Sequence, residues 1–125
     1  MRADVGLIGL GTMGAALALN IAERGFRVAV HNRTAGVADR FVAEAGALAD
    51  RLVACPSLEA LAAALAPPRA VILMVPAGEA VDAMIAALRP LLGPDGLIVD
   101  AGNANFRDTR RRAAEAAALG APYLG

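Results

Sequence analysis

The 125 residues predict an α/β domain built on a doubly wound parallel sheet. Three observations lead there. Apolar runs of strand length alternate with helical patterns along the chain. A glycine-rich turn, Gly9-Leu10-Gly11-Thr12-Met13-Gly14, joins the first run to the first helical pattern. The run Ala70-Val71-Ile72-Leu73-Met74-Val75 is apolar throughout, as for a central strand buried on both faces. The length fits a single domain spanning residues 1–125. With right-handed crossovers, the expected strand order is 3-2-1-4-5-6.

Each element has a local reason. Val5-Gly6-Leu7-Ile8 is the first strand. A helix from Thr12 to Arg24 follows, with Ala15, Ala16, Ala18, Leu19 and Ala22 as small or apolar packing residues. Gly25 suits the left-handed position that ends a helix. Phe26 to His31 reads as the second strand. Ala38, Phe41, Val42 and Ala45 recur at helical spacing until Gly46. Leu52-Val53-Ala54 is a short third strand, and Ser57 is placed to cap a helix running to Leu65. Ala66-Pro67-Pro68 breaks that helix before the central strand.

Beyond Pro76-Ala77-Gly78, a helix starts at Glu79 and ends at Leu88 or Leu92, with Val81, Met84, Ile85 and Leu88 on one face. Gly93-Pro94-Asp95-Gly96 is a turn, and Leu97 to Asp100 the fifth strand. A loop, Ala101 to Asn105, leads to a helix from Phe106 to Leu119. Ala121 to Leu124 opens a sixth strand.

Strand, glycine turn, helix and second strand together make a βαβ unit of the Rossmann, dinucleotide-binding kind. Gly9 permits the tight exit from the strand, Gly11 close approach of a pyrophosphate, and Gly14 close packing of the helix. The helix start offers N–H groups and a positive dipole end to the anion. At the end of the second strand, about 20 residues on, a cofactor lacking the extra phosphate ordinarily meets an Asp or Glu. Here the residues are Asn32-Arg33-Thr34. No carboxylate repels a 2′-phosphate, Arg33 can pair with it through two parallel N–H bonds, and Asn32 and Thr34 add neutral donors. The expected cofactor is NADP rather than NAD. Ligands in such sheets bind beyond the carboxyl ends of the strands, so three loops should converge on one crevice: Gly9–Gly14, Val75-Pro76-Ala77 and Gly102-Asn103.

Composition excludes other classes. The 12 basic residues balance 12 acidic ones, without the basic excess of a nucleic-acid binder. All of the basic residues are arginines, so a mechanism that needs a lysine is not completed by these residues. Cys55 is the single cysteine, which rules out an internal disulfide and fits a reducing compartment. It reads as a small apolar residue. Arg2 and the run Val5 to Leu19 mimic a signal peptide, but Asp4 and four glycines in that run argue against one. No apolar stretch reaches membrane-span length. A cytoplasmic protein without membrane or nucleic-acid partners is expected. Arg107, Arg110, Arg111 and Arg112, with Asp108 and Glu115 at pairing distance, read as a solvated helix face. The lone histidine, His31, is either a contact for the adenosine end or a partly exposed strand-end residue. No metal-ligand spacing and no G-x-S-x-G occur.

The stretches DVGLIGLGTMGAALALNIAERGF, VAVHNRT, VILMVPAGEAVDAMI and IVDAGNANFRDTRRRA resemble the N-terminal domain of 6-phosphogluconate dehydrogenase, in the β-hydroxyacid dehydrogenase superfamily. N-R-T and G-N-x-N-F-R-D-T are the most specific parts. The resemblance implies NADP-dependent oxidation of 6-phosphogluconate at C3 and decarboxylation to ribulose 5-phosphate, a step of the pentose phosphate pathway. It implies that Gly9, Leu10, Gly11, Thr12, Met13 and Gly14 cradle the pyrophosphate, and that Asn32, Arg33 and Thr34 hold the 2′-phosphate. It places Val75, Pro76 and Ala77 against adenosine and ribose, and Asn103 between nicotinamide and substrate. It also implies homodimers for full-length members.

Two stretches depart from the pattern. Pro76 stands where long-chain members carry a lysine, and Ala101-Gly102-Asn103-Ala104 where the family has Gly-Gly-Asn-Ser. The family's Ser-Gly-Gly substrate loop, lysine base, glutamate acid and helical second domain have no counterpart in these residues. The expectation is a cofactor-binding domain that is inactive by itself. The alternatives are the cofactor domain of another β-hydroxyacid dehydrogenase and a stand-alone NADP-sensing module.

Overall fold

A computed structural model describes residues 2–34, 36–75, 79–101 and 123–124. Its strands are β1 (Val5–Ile8), β2 (Val28–His31), β3 (Leu52–Ala54), β4 (Ala70–Leu73), β5 (Leu97–Asp100) and β6 (Tyr123–Leu124). Its α-helices are α1 (Thr12–Glu23), α2 (Val37–Ala43), α3 (Leu58–Ala64) and α4 (Glu79–Leu92). The strands form one parallel sheet in the order β3-β2-β1-β4-β5-β6, as expected.

Strand side chains alternate between the two faces, and the core divides accordingly. Leu7, Val28, Val30 and Leu52 pack with Ala18 and Ala22 of α1 and Ala38 of α2. Ile8, Ala29, Val71, Leu73 and Ile98 pack on the other face with Leu61 of α3 and Val81, Leu88 and Leu92 of α4. Full burial of one Leu or Ile side chain contributes about 1.5–3 kcal/mol. The two apolar faces therefore hold the sheet between its helix pairs, and the rim at the strands' carboxyl ends is left to polar and glycine residues.

The boundaries carry some corrections. The second strand begins at Val28; Phe26 is exposed in the preceding turn. That turn is tied by the Arg27 N–H, which donates to Asp4 Oδ2 at 2.8 Å. Ala16 faces outward, while Gly14, Ala18 and Ala22 form the buried stripe of α1. Helix α2 ends at Ala43, and a 3-10 helix over Gly46–Arg51, not expected from the sequence, bridges to β3. Leu65 is not helical; it forms an isolated parallel bridge with Ala3, just ahead of the central strand β1. The central strand ends at Leu73 because its neighbour β1 ends at Ile8; the Met74 N–H still donates to the Ile8 carbonyl, at 2.8 Å, before the chains part.

Other expectations hold. Ser57 Oγ accepts from the Ala60 N–H at 3.0 Å, the expected cap. Gly25 takes the left-handed position after α1, with φ +98°. Helix α4 continues through Pro90 to Leu92 because Leu88 and Leu92 are both buried on the same face. The sixth strand covers Tyr123–Leu124. The expected helix from Phe106 to Leu119, with Arg107, Arg110, Arg111 and Arg112, lies outside the described residues.

Candidate functional site

A crevice of about 720 Å³ opens at the carboxyl ends of β1, β2 and β4. That size suits a cofactor or small-molecule pocket. Its lining includes Gly9, Gly11, Thr12, Met13 and Gly14 from the turn, Asn32, Arg33 and Thr34 from the end of β2, and Val75 after β4. Nine residues picked out by motif and position thus come together. Ala101, at the start of the fifth loop, also lines it. Pro76, Ala77, Gly102 and Asn103 lie outside the described residues.

The turn is built on contacts that exclude side chains. Gly9 has φ +104°, and a Cβ there would lie 2.4 Å from the Met74 carbonyl oxygen. A Cβ on Gly14 would lie 1.9 Å from the Gly9 carbonyl oxygen and 3.3 Å from Met74 Cβ. The first turn of α1 therefore sits directly on the glycine turn and the end of β4. Gly11 is different: nothing approaches within 4 Å of where its Cβ would be. Its missing side chain leaves an open cradle at the mouth of the crevice, as close approach of a ligand backbone requires.

The start of α1 carries neither a side-chain cap, since Gly11 is the N-cap, nor an acidic residue in its first turn. The first N–H groups of a helix have no partner within it. Together with the dipole they form a patch of positive potential. Arg33 is exposed and is the single ionisable side chain among the described lining residues. The crevice thus carries positive potential at two places and, among its described lining residues, no carboxylate.

Asn32 is bonded within the protein through its oxygen. Its Oδ1 accepts the Leu10 N–H at 2.8 Å, tying the end of β2 to the glycine turn. Leu10 takes part through this bond rather than by lining the cavity. His31 is half-buried, and its Nδ1 lies 2.8 Å from the Cys55 carbonyl oxygen. A carbonyl only accepts, so Nδ1 carries the proton. The described crevice lining does not include His31. Cys55 is buried, its thiol donating to the Val53 carbonyl at 3.6 Å, and burial pushes its pKa up from the ordinary thiol value.

One wall was missed. Leu58 of α3 and Ala83, Met84 and Ala87 of α4 line the crevice. Met84 shares its helix face with Val81 and Leu88; those two are fully buried, but Met84 turns its flank to the cavity. The available signal was Ala83 and Ala87, four residues apart where a solvated helix flank ordinarily carries charge. The wall is apolar, suited to the flat face of an aromatic ring.

No helix among the described residues is long and apolar enough to cross a membrane. Among them, too, no cluster of three or more His, Cys, Asp or Glu is placed to hold a metal ion.

Comparison with known proteins adds the family. The model for the NAD binding domain of 6-phosphogluconate dehydrogenase matches residues 4–125. The decarboxylating 6-phosphogluconate dehydrogenase of Trypanosoma brucei brucei is 46% identical, over all of this chain and 26% of that protein. Among solved structures, the 6-phosphogluconate dehydrogenase of Plasmodium falciparum superposes with a TM-score of 0.89 at 34% identity, over 98% of this chain and 26% of that one. That enzyme is described in complex with its cofactor NADP+ and with its substrate 6-phosphogluconate. A reductive aminase from Aspergillus terreus, in complex with NADPH4, cyclohexanone and allyl amine, superposes at a TM-score of 0.78 and 30% identity, over 98% of this chain and 40% of that one. The chain spans about a quarter of the length of the curated relatives it matches.

Proposed function

The chain belongs to the family of the NAD binding domain of 6-phosphogluconate dehydrogenase, and from that premise we propose that it binds NADP for the oxidative decarboxylation of 6-phosphogluconate to ribulose 5-phosphate. The observation that carries the cofactor choice is the rim of the crevice: Arg33 exposed beside Asn32 and Thr34, with no carboxylate among the described lining residues. A 2′-phosphate gains a bidentate partner there and meets no repulsion. The open cradle at Gly11 and the uncapped start of α1 support a pyrophosphate between that rim and the sheet. Val75 with Pro76 and Ala77 would flank adenosine and ribose, and Asn103 would stand between nicotinamide and substrate.

NADP, when bound, supplies the ring that accepts hydride from the substrate's carbinol carbon. The described residues would anchor the cofactor's pyrophosphate and 2′-phosphate, and the apolar wall of Leu58, Ala83, Met84 and Ala87 keeps water from one side of the crevice. The 125 residues contain no lysine to serve as a base, and hydride transfer needs the substrate held about 3–3.5 Å from its acceptor. By themselves they are expected to bind NADP and turn over negligible 6-phosphogluconate.

Calorimetric titration with NADP and then NAD tests the reading. A charge-assisted contact contributes about 1.5–3 kcal/mol, so NADP should bind about tenfold tighter or more. Equal affinities would remove the assignment of the 2′-phosphate to Arg33. Binding of neither nucleotide would remove the cofactor site.

A further inference from the structure

We propose that Asn32 is a positioning residue for the whole dinucleotide, acting through the glycine turn, rather than a contact specific to the 2′-phosphate. The inference rests on the NADP reading above and deepens it. Strands β1 and β2 run in register from Val5 beside Val28 to Ile8 beside His31. The ladder continues one step past the strands, where the Gly9 N–H donates to the His31 carbonyl at 3.0 Å. At the next step the two backbones diverge, and Asn32 supplies the acceptor from its side chain: the Leu10 N–H donates to Oδ1 at 2.8 Å.

That bond decides how the carboxamide is oriented. The Leu10 nitrogen is a donor, so the atom facing it is the oxygen, and the NH₂ group takes the other arm. The oxygen is committed to the glycine turn, which cradles the pyrophosphate common to NADP and NAD. The residue that follows, Arg33, carries the charge that tells them apart. Two adjacent residues thus divide the work: Asn32 holds the cradle in place relative to the rim, and Arg33 selects the phosphate. Without the side-chain acceptor, the part-buried Leu10 N–H loses its partner, and such a group is costly to leave unpaired.

Two variants and two readouts test this in the purified chain. N32A should weaken NADP and NAD by a common factor, about threefold to tenfold, leaving their ratio close to that of the unsubstituted chain. N32D keeps an acceptor for Leu10 but sets a carboxylate beside the 2′-phosphate. It should bind NAD as the unsubstituted chain does, while NADP weakens by about tenfold or more through like-charge repulsion. Amide hydrogen exchange at Leu10, followed without nucleotide, should be faster in N32A and unchanged in N32D. Loss of NADP affinity alone in N32A, with NAD unaffected, would overturn the proposal. So would unchanged exchange at Leu10 in N32A. The exchange readout requires no nucleotide, so failure of the cofactor reading, seen as no binding by the unsubstituted chain, is told apart from failure of the Asn32–Leu10 tie.

Discussion

The two ends of the sheet treat the same side chain in opposite ways. At the strands' amino ends, arginines are turned inward onto the protein's own carbonyls. Arg51 Nη1 donates to the Ala22 carbonyl at 2.9 Å, Arg69 Nε to Ala62 at 3.0 Å and Arg89 Nη1 to Gly96 at 3.1 Å. Ala22 and Ala62 lie in the last turns of α1 and α3, where the dipole is negative and each carbonyl accepts the arginine in addition to a cap N–H. At the carboxyl ends lie helix starts, whose N–H groups and positive dipole give an arginine nothing to bind. Arg33 stands there with no bonding partner among the described residues. The polarity of the helices thus places last-turn carbonyls beside Arg51 and Arg69, just before their strands, and offers none to Arg33, just after one.

The sharpest way to break the contrast is at the glycine turn. Gly14→Ala forces a Cβ onto the Gly9 carbonyl, and we expect a loss of about 3 kcal/mol in stability with nucleotide binding lost alongside, measured by urea unfolding and titration. Arg33→Ala should come next. NADP should weaken by about tenfold to a hundredfold with NAD unchanged and the urea midpoint unmoved; a shift in stability would mean that Arg33 also serves the fold. Arg69→Ala is the mirror test at the other end: a stability loss of about 1 kcal/mol with both nucleotide affinities unchanged.

The smallest effect concerns Cys55, whose thiol is turned inward at the crevice end. Its pKa is raised by burial, so its stabilising contribution is complete below the ordinary thiol value and is lost as pH rises through the raised folded value. Urea midpoints should be flat through neutral pH and decline in alkali, by at most about 1.4 kcal/mol per pH unit for one proton. Cys55→Ala should lose that cysteine-dependent part of the decline. A decline of the same size in Cys55→Ala would assign it to other groups.

Much of the crevice was legible because its residues are contiguous in the chain. Gly9 to Gly14 and Asn32-Arg33-Thr34 follow the ends of apolar runs, and in a parallel α/β sheet those ends face one side. The apolar wall was not legible in the same way. Ala83, Met84 and Ala87 satisfy a helical apolar pattern whether they meet a core or a cavity, and Leu58 lies in a separate helix. Leu65 obeyed a helical period, but Ala3 offered its backbone a strand partner instead: the Ala66 N–H donates to the Ala3 carbonyl at 2.9 Å. The 3-10 helix over Gly46–Arg51 lacks apolar periodicity, and Arg51 pins its end to α1.

The amino-acid sequence by itself determined the alternation of strands and helices, the glycine turn, the Ser57 cap and the absence of a carboxylate after the second strand. Each of these depends on neighbours within a few residues. Tertiary structure alone decided which donor would meet the Asn32 oxygen, which arginines would be bound to helix ends, and which face of α4 would border the crevice. Those outcomes join residues far apart in the chain, such as Leu10 and Asn32, 22 positions apart. They depend on where parallel strands stop pairing and their backbones part, which no local pattern encodes.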